Sequence, residues 1–203
     1  MKQKKLVIAT GNRGKLKEFA KLLAALNVQV LALADFLEIG EIAENGLTFK
    51  DNALIKGRVA AAHTGLISLA DDSGLEVDFL HGQPGVNSAR FAGEQRDDKR
   101  NNEKLLKLLK GTPPAGRTAR FKCVIAVVTP AGQEFTVEGN CEGLILEKEK
   151  GAGGFGYDPL FYVPEYGQTF AQLDLEIKNE ISHRGKAVRQ AMAILQELFK
   201  SDV

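Results

Sequence analysis

The chain is short of the features that mark several common protein classes. Its 203 residues include only two cysteines, Cys123 and Cys141, too few for the disulfide framework of a small secreted domain. They flank a predicted turn near Gly132, and in a reducing compartment they read as two reduced core residues rather than a disulfide. Neither sign of charge is in excess: Lys plus Arg is 27, Asp plus Glu is 26, and the formal net charge is +1. Non-specific nucleic-acid binding rests on neutralising many phosphates, so no stable nucleic-acid partner is expected. No apolar run is long enough to span a bilayer. Behind the basic start, Met1 to Lys5, stands only Leu6 to Ala9, too short for the apolar part of a signal peptide. A cytoplasmic protein with no membrane partner is expected. Internal repeats, low-complexity stretches and interdomain linkers are also missing, so residues 1–203 are expected to form one domain, with two lobes at most.

What is present suits a folded chain with a real core. Apolar residues make up 44% of the chain and charged residues 26%, enough for a core and ordinary for a soluble protein. Leu6 to Thr10 reads as a buried strand. After the turn Gly11-Asn-Arg-Gly-Lys15, apolar residues recur at Leu16, Phe19, Leu23 and Leu26, on one face of a helix. Val28 to Leu33 is a second candidate strand, and Ile39 to Gly46 an acidic loop. Thr48 and Asp51 form a capping-box-like pair that opens a helix to about His63, with Gly65 as its stop. Leu66 to Ala70 is an apolar strand expected to end at Asp71-Asp-Ser-Gly74, whose Asp-Ser-Gly is good turn chemistry. Asp98 to Lys110 is a third helix, 119–129 and 134–146 pair as strands around 130–133, and Ser182 to Phe199 is the last helix. Interleaved helices and strands with a late hairpin predict an α/β fold with a mixed sheet.

Five segments carry candidate chemistry, and each taken alone also has an ordinary structural reading. Thr10 to Lys15 joins a strand to a helix start, where backbone N–H groups and the helix dipole suit a phosphate. Its glycines stand too close for a Walker A loop, and Leu16 follows the lysine. Asp71 and Asp72 lie at the carboxyl end of a strand, where α/β proteins place ligands, and hard cations such as Mg²⁺ take carboxylate oxygens. Asn52 and Lys56, four apart, share a helix face. Gly151 to Gly156 matches the dinucleotide fingerprint formally, but it comes late and Pro159 follows, so it reads as a glycine loop carrying Phe155 and Tyr157, either of which can stack on a base or pack in the core. Lys178, His183 and Arg184 complete the set. An arginine only donates hydrogen bonds, so it favours a 6-keto purine over adenine.

Together these segments resemble one family, the inosine/xanthosine triphosphate pyrophosphatases, also called dITP/XTP pyrophosphatases. The likeness rests on Ala9-Thr-Gly-Asn-x-Gly-Lys15, Glu44-Asn-Gly-Leu-Thr-Phe49 with Asn52, Ala53 and Lys56, Ala70-Asp-Asp-Ser-Gly-Leu75, Pro84-Gly85 with Ser88-Ala-Arg90, Gly153-Gly-Phe-Gly-Tyr-Asp-Pro159 and Ile181-Ser-His-Arg-Gly185. It runs from Leu6 to about Ala193. The sequence departs at Ile177, where relatives often carry an acidic residue, and at Ala43, where some have a second glutamate. The resemblance implies a homodimer with a long central sheet flanked by helices and an active-site cleft between two lobes. It implies that Thr10, Gly11, Asn12, Arg13, Gly14 and Lys15 grip the triphosphate, with Asn52 and Lys56 directed at the phosphates. Asp72 becomes the catalytic carboxylate and, with Glu44, a Mg²⁺ ligand, while Ser73 contacts the nucleotide. Phe155, Gly156, Tyr157, Asp158, Lys178, His183 and Arg184 become the base-recognition set.

The expected reaction is hydrolysis of ITP, dITP and XTP to monophosphate and pyrophosphate. Two other classes stay open. A phosphotransferase using Thr10–Lys15 would need an acceptor and release a diphosphate, and a non-catalytic nucleotide-binding module would bind without hydrolysis.

Overall fold

Strands joined through helices pair in parallel, because the helix must carry the chain back across the sheet. The computed structural model describes residues 4–36 and 38–201, and its first three strands obey that rule. β1 (Lys5–Ile8) pairs in parallel with β2 (Gln29–Ala32) and with β3 (Ile67–Val77). α1 (Arg13–Leu22) lies between β1 and β2 in the chain, and α2 (Phe49–Thr64) between β2 and β3. Then come α3 (Asp98–Leu108), β4 (Thr118–Val128), β5 (Glu134–Ile145), β6 (Phe161–Val163), β7 (Gln168–Thr169), α4 (Leu175–Ile181) and α5 (His183–Ser201). The sheet order is β2-β1-β3-β4-β5-β6-β7, with the β5–β6 and β6–β7 pairs antiparallel. This is the expected α/β class with a mixed sheet flanked by helices.

The chain forms two compact units. The first takes Met1–Asp72, Cys123–Gly139 and Arg184–Val203, and the second takes Ser73–Lys122 and Asn140–His183. In the first, alternation along the strands sorts two cores. Leu6 and Ile8 of β1 join Ile67 and Leu69 of β3 against Phe19 and Leu23 at α1 and Val188, Ala191 and Leu195 of α5. The intervening Val7, Ala9 and Ala70 meet Ala60 of α2. The second unit packs Leu75, Leu105, Leu109, Phe121, Tyr157, Phe161 and Phe170 into its own cluster. Cys123 and Cys141 form no disulfide and are buried in different clusters, one in each unit.

Local signals explain the helix ends. Asn12 caps α1 with its side-chain oxygen, and Thr48 and Asp51 close the capping box of α2. Two elements differ from the sequence reading. β3 does not end at Ala70 but runs through Asp71-Asp-Ser-Gly74 to Val77, because both carboxylates find cationic partners that local turn propensity cannot register. α4, seven residues long, is not anticipated, although Ile177 and Ile181 face the second unit's core.

α2 lies close to its neighbours at Gly57. Its carbonyl oxygen accepts from Ser68 Oγ at 2.7 Å, and a Cβ there would stand 2.7 Å from Val128 Cγ2. Helix propensity alone predicts that Gly57→Ala stabilises by about 1 kcal/mol, whereas overpacking costs about 1–3 kcal/mol. We expect overpacking to win. Urea denaturation should show a lower midpoint for Gly57→Ala, and a higher one would mean that α2 has room to move.

Candidate active site

The first unit gathers its chemistry where β1, β3, α1 and α2 meet. α1 begins with its own cap: Asn12 Oδ1 accepts from Gly14 N at 2.8 Å and Lys15 N at 3.1 Å. Thr10 Oγ1 accepts from Asn12 N at 3.2 Å. Two amides expected to be open to a phosphate are thus engaged by Asn12, and an incoming anion must compete for them. Gly11 and Arg13 are exposed beside them.

Adjacent strand residues point to opposite faces, so Asp71 and Asp72 enter different surroundings. Asp71 turns to the α1–α5 face and is wholly buried. Lys15 Nζ stands 2.9 Å from its Oδ2, and Arg184 Nη2 lies 3.3 Å from the same oxygen. Arg184 also donates to Glu18, which is buried on α1. Burial pushes the Asp71 carboxyl up, but Lys15 and then Arg184 overcome it and hold the group well below the usual carboxylate range.

Asp72 turns to the α2 face. Asn52 Nδ2 donates to it at 3.1 Å, and Lys56 Nζ lies 3.4 Å from its Oδ1. The same ammonium is 2.9 Å from Glu44 Oε2. Asn52 Oδ1 accepts from Gly46 N at 2.8 Å, which pins the acidic loop carrying Glu44 onto α2. Glu44 and Asp72 titrate as a pair. Burial raises the Asp72 carboxyl, and the Glu44 charge adds to this against the pull of Lys56. For Glu44, burial is outweighed by Lys56, which lowers its carboxyl below the ordinary value.

This pair fits a hard cation. A single ammonium already bridges the two carboxylates, so a positive charge is favoured there. Among the described residues no group of three or more His, Cys, Asp or Glu side chains makes a metal cage. Mg²⁺ commonly takes one or two carboxylates and completes its shell with water and substrate phosphate.

The second unit holds a separate cluster. Lys178 Nζ is 2.6 Å from Asp158 Oδ2, with both side chains almost fully buried. It also stands 4.9 Å from the Phe155 ring centre and 5.5 Å from that of Phe170. Asp158 Oδ2 accepts from Phe155 N at 2.9 Å. A side chain at Gly154 would collide with that carboxylate, and its φ of 74° favours glycine besides. His183 stacks on Phe121 with ring centres 4.8 Å apart.

Of the expected residues, Lys15, Glu44, Asn52, Lys56 and Asp72 come together in the first unit, and Phe155, Asp158, Lys178 and His183 belong to the second. Arg184 opens the first unit's final segment, buried on Glu18 and Asp71. Tyr157 packs in the core and donates its hydroxyl to Ser88 O at 2.8 Å, so its ring is an anchor and not an open stacking surface. Gly156 sits half-buried between Phe155 and Tyr157, and half-buried Ser73 begins the second unit. Sequence reasoning missed Glu18 and the anchoring role of Asp71. The spacing of Glu18 from Lys15, three residues along one helix, was the available sign.

Comparison with known proteins gives a consistent result. The Ham1 family profile matches residues 6–194. The dITP/XTP pyrophosphatase of Desulforamulus reducens is 60% identical over 195 residues, covering 96% of this chain and 97% of its own. A HAM1 protein from Coxiella burnetii has a similar structure, with TM-score 0.87, 41% identity, and coverage of 96% of this chain and 100% of its own. The Staphylococcus aureus Ham1 protein matches with TM-score 0.84, 40% identity, and coverage of 96% and 99%.

Removing one charge from the buried Asp71 cluster should be costly. Asp71→Asn removes the charge that faces both Lys15 and Arg184, and breaking such a pair costs about 3–5 kcal/mol. Asp71 has a depressed folded pKa, so its contribution is complete above the unfolded value and is lost as pH falls through the folded one. Urea denaturation should therefore show a large gap between wild type and variant at pH 7 that narrows below about pH 4. A gap independent of pH would contradict the ionised pair.

Proposed function

Because the chain belongs to the Ham1 family, we propose that it hydrolyses the non-standard purine triphosphates dITP, XTP and ITP to the monophosphate and pyrophosphate. The observation that carries this reading is the meeting in one unit of two lysines with two ionisable carboxylates of different character. Asp71 is locked in the ionised form by Lys15 and Arg184. Asp72 is raised, which makes it the better proton acceptor.

Asp72 orients a water and takes its proton as the water oxygen attacks the α-phosphorus. The bond from that phosphorus to the bridging oxygen breaks, and pyrophosphate leaves. Lys15 and Lys56 offset the charge that builds on the phosphate oxygens, which is the main task in phosphoryl transfer. Glu44 and Asp72 would hold Mg²⁺ together with substrate oxygens, and the bound ion would supply further charge neutralisation. In the second unit, Lys178 brings a buried ammonium beside an aromatic ring, a combination suited to a 6-keto purine. Adenine turns an amino donor toward an ammonium that can itself only donate, and this mismatch disfavours it.

The family resemblance further supports a homodimer acting in the cytoplasm, with residues 1–203 working as one catalytic domain. No helix of the described residues is long and apolar enough to cross a membrane.

One assay tests the reaction. Incubation with dITP, XTP, ATP and GTP plus Mg²⁺ should release pyrophosphate from the first two. Release of orthophosphate, or turnover that needs a phosphate acceptor, would overturn the proposal. Asp72→Asn should keep nucleotide affinity, read by titration calorimetry, yet lose turnover by about 10²–10⁴-fold. Near-normal turnover would remove Asp72 from the role of base.

A further inference from the structure

The glycine loop that carries Phe155 and Asp158 is held from outside itself. Gly156 N donates to Asp98 Oδ2 at 2.7 Å, and Gly156 O accepts from Asn102 Nδ2 at 3.3 Å. Asp98 and Asn102 are four apart on α3 and so share one face of that helix. The same Asn102 nitrogen donates to Glu149 Oε1 at 2.8 Å, just before the loop begins. The amide and the carbonyl of Gly156 are therefore both fixed by one helix. On either side of it stand Phe155, whose amide meets Asp158, and Tyr157, whose hydroxyl is anchored to Ser88 O.

Stability alone does not explain Asn102. It is buried, and its amide oxygen has no hydrogen-bond partner among the described residues. An orphaned buried acceptor is a cost, and natural sequences carry such costs where function needs them. What the residue does achieve is geometric. It keeps the Gly156 backbone in place, and with it the spacing of Phe155, Asp158 and Lys178.

We propose that Asp98 and Asn102 are positioning residues for base discrimination: from α3 they grip the Gly156 backbone and so hold the Phe155–Asp158–Lys178 cluster in the geometry that separates a 6-keto purine from adenine. This rests on the reading of that cluster as the base-recognition site. Misplacing a recognition group by about 1 Å costs up to about 10²-fold in rate, and the chemistry at Asp72 belongs to different residues. The effect therefore falls on the choice of base.

The test is the ratio of kcat/KM for dITP to that for dATP, measured with Mg²⁺ in the full-length protein, beside the thermal midpoint of each variant. Asn102→Leu and Asp98→Ala should each lower the ratio at least about tenfold, chiefly through a higher KM for dITP. Asp98→Asn keeps an acceptor for Gly156 N and should restore the ratio. A purely structural role would lower the midpoint and slow both substrates in proportion, and an unchanged ratio in Asn102→Leu and Asp98→Ala overturns the proposal. Asp98 is exposed, so its variants remain informative if Asn102→Leu does not fold. Lys178→Met separates the two readings. A collapsed ratio there with an intact one in the α3 variants sinks the positioning role alone, and an intact ratio in Lys178→Met sinks both.

Discussion

A carboxylate shut away from water stays ionised only if cations reach it, and Lys15 and Arg184 both reach Asp71. Lys15 comes from α1 and Arg184 from α5, while Glu18 closes the balance from the far side of the arginine. This compensation docks the start of both helices onto the middle of β3. It also fixes where the Lys15 ammonium stands. The residue next along the strand inherits the opposite environment. Asp72 faces a single lysine shared with a second carboxylate, so two neighbours of identical chemistry acquire different protonation behaviour.

The second unit solves a different problem. Its pairing of Lys178 with Asp158 is buried and aromatic-walled, and the carboxylate that neutralises the lysine also receives the Phe155 amide. The glycine loop is held by its Gly153 amide on Ala171 O, by helix α3 at Gly156 and by the Tyr157 hydroxyl. The carboxylate–lysine cluster of the first unit and the Lys178–Asp158 cluster of the second are thus supported by separate sets of bonds.

Much of this was legible in the residues. The capping box at Thr48, the helix cap at Asn12 and the hairpin around Gly132 are local devices, and local sequence announces them. The carboxylate pair was visible as a pair, but its continuation as strand was not, because the cations that make Asp71 tolerable there lie 56 positions back, at Lys15, and 113 positions ahead, at Arg184. α4 escaped notice because a helix of seven residues is too short to show a period. The hold of Asn102 on Gly156 was invisible for the same reason as the Asp71 cluster: its 54-residue separation leaves no trace in spacing. Arg184 shows the converse. Its motif was clear, while its partners, Glu18 and Asp71, were not deducible from neighbours.

The alternating pleat of β3 also governs how this chain can change in length. Inserting or deleting one residue ahead of Asp71 would exchange the faces of the two carboxylates while the backbone ladder could still form. Asp72 would then enter the arginine's pocket, and Asp71 would be offered to Lys56. Charge count, composition and hydropathy would stay almost the same, yet each acid would carry the other's proton affinity. Length variation among functional relatives therefore belongs in the connecting loops, and the stretch from Ile67 to Asp72 should keep a constant length wherever the activity persists.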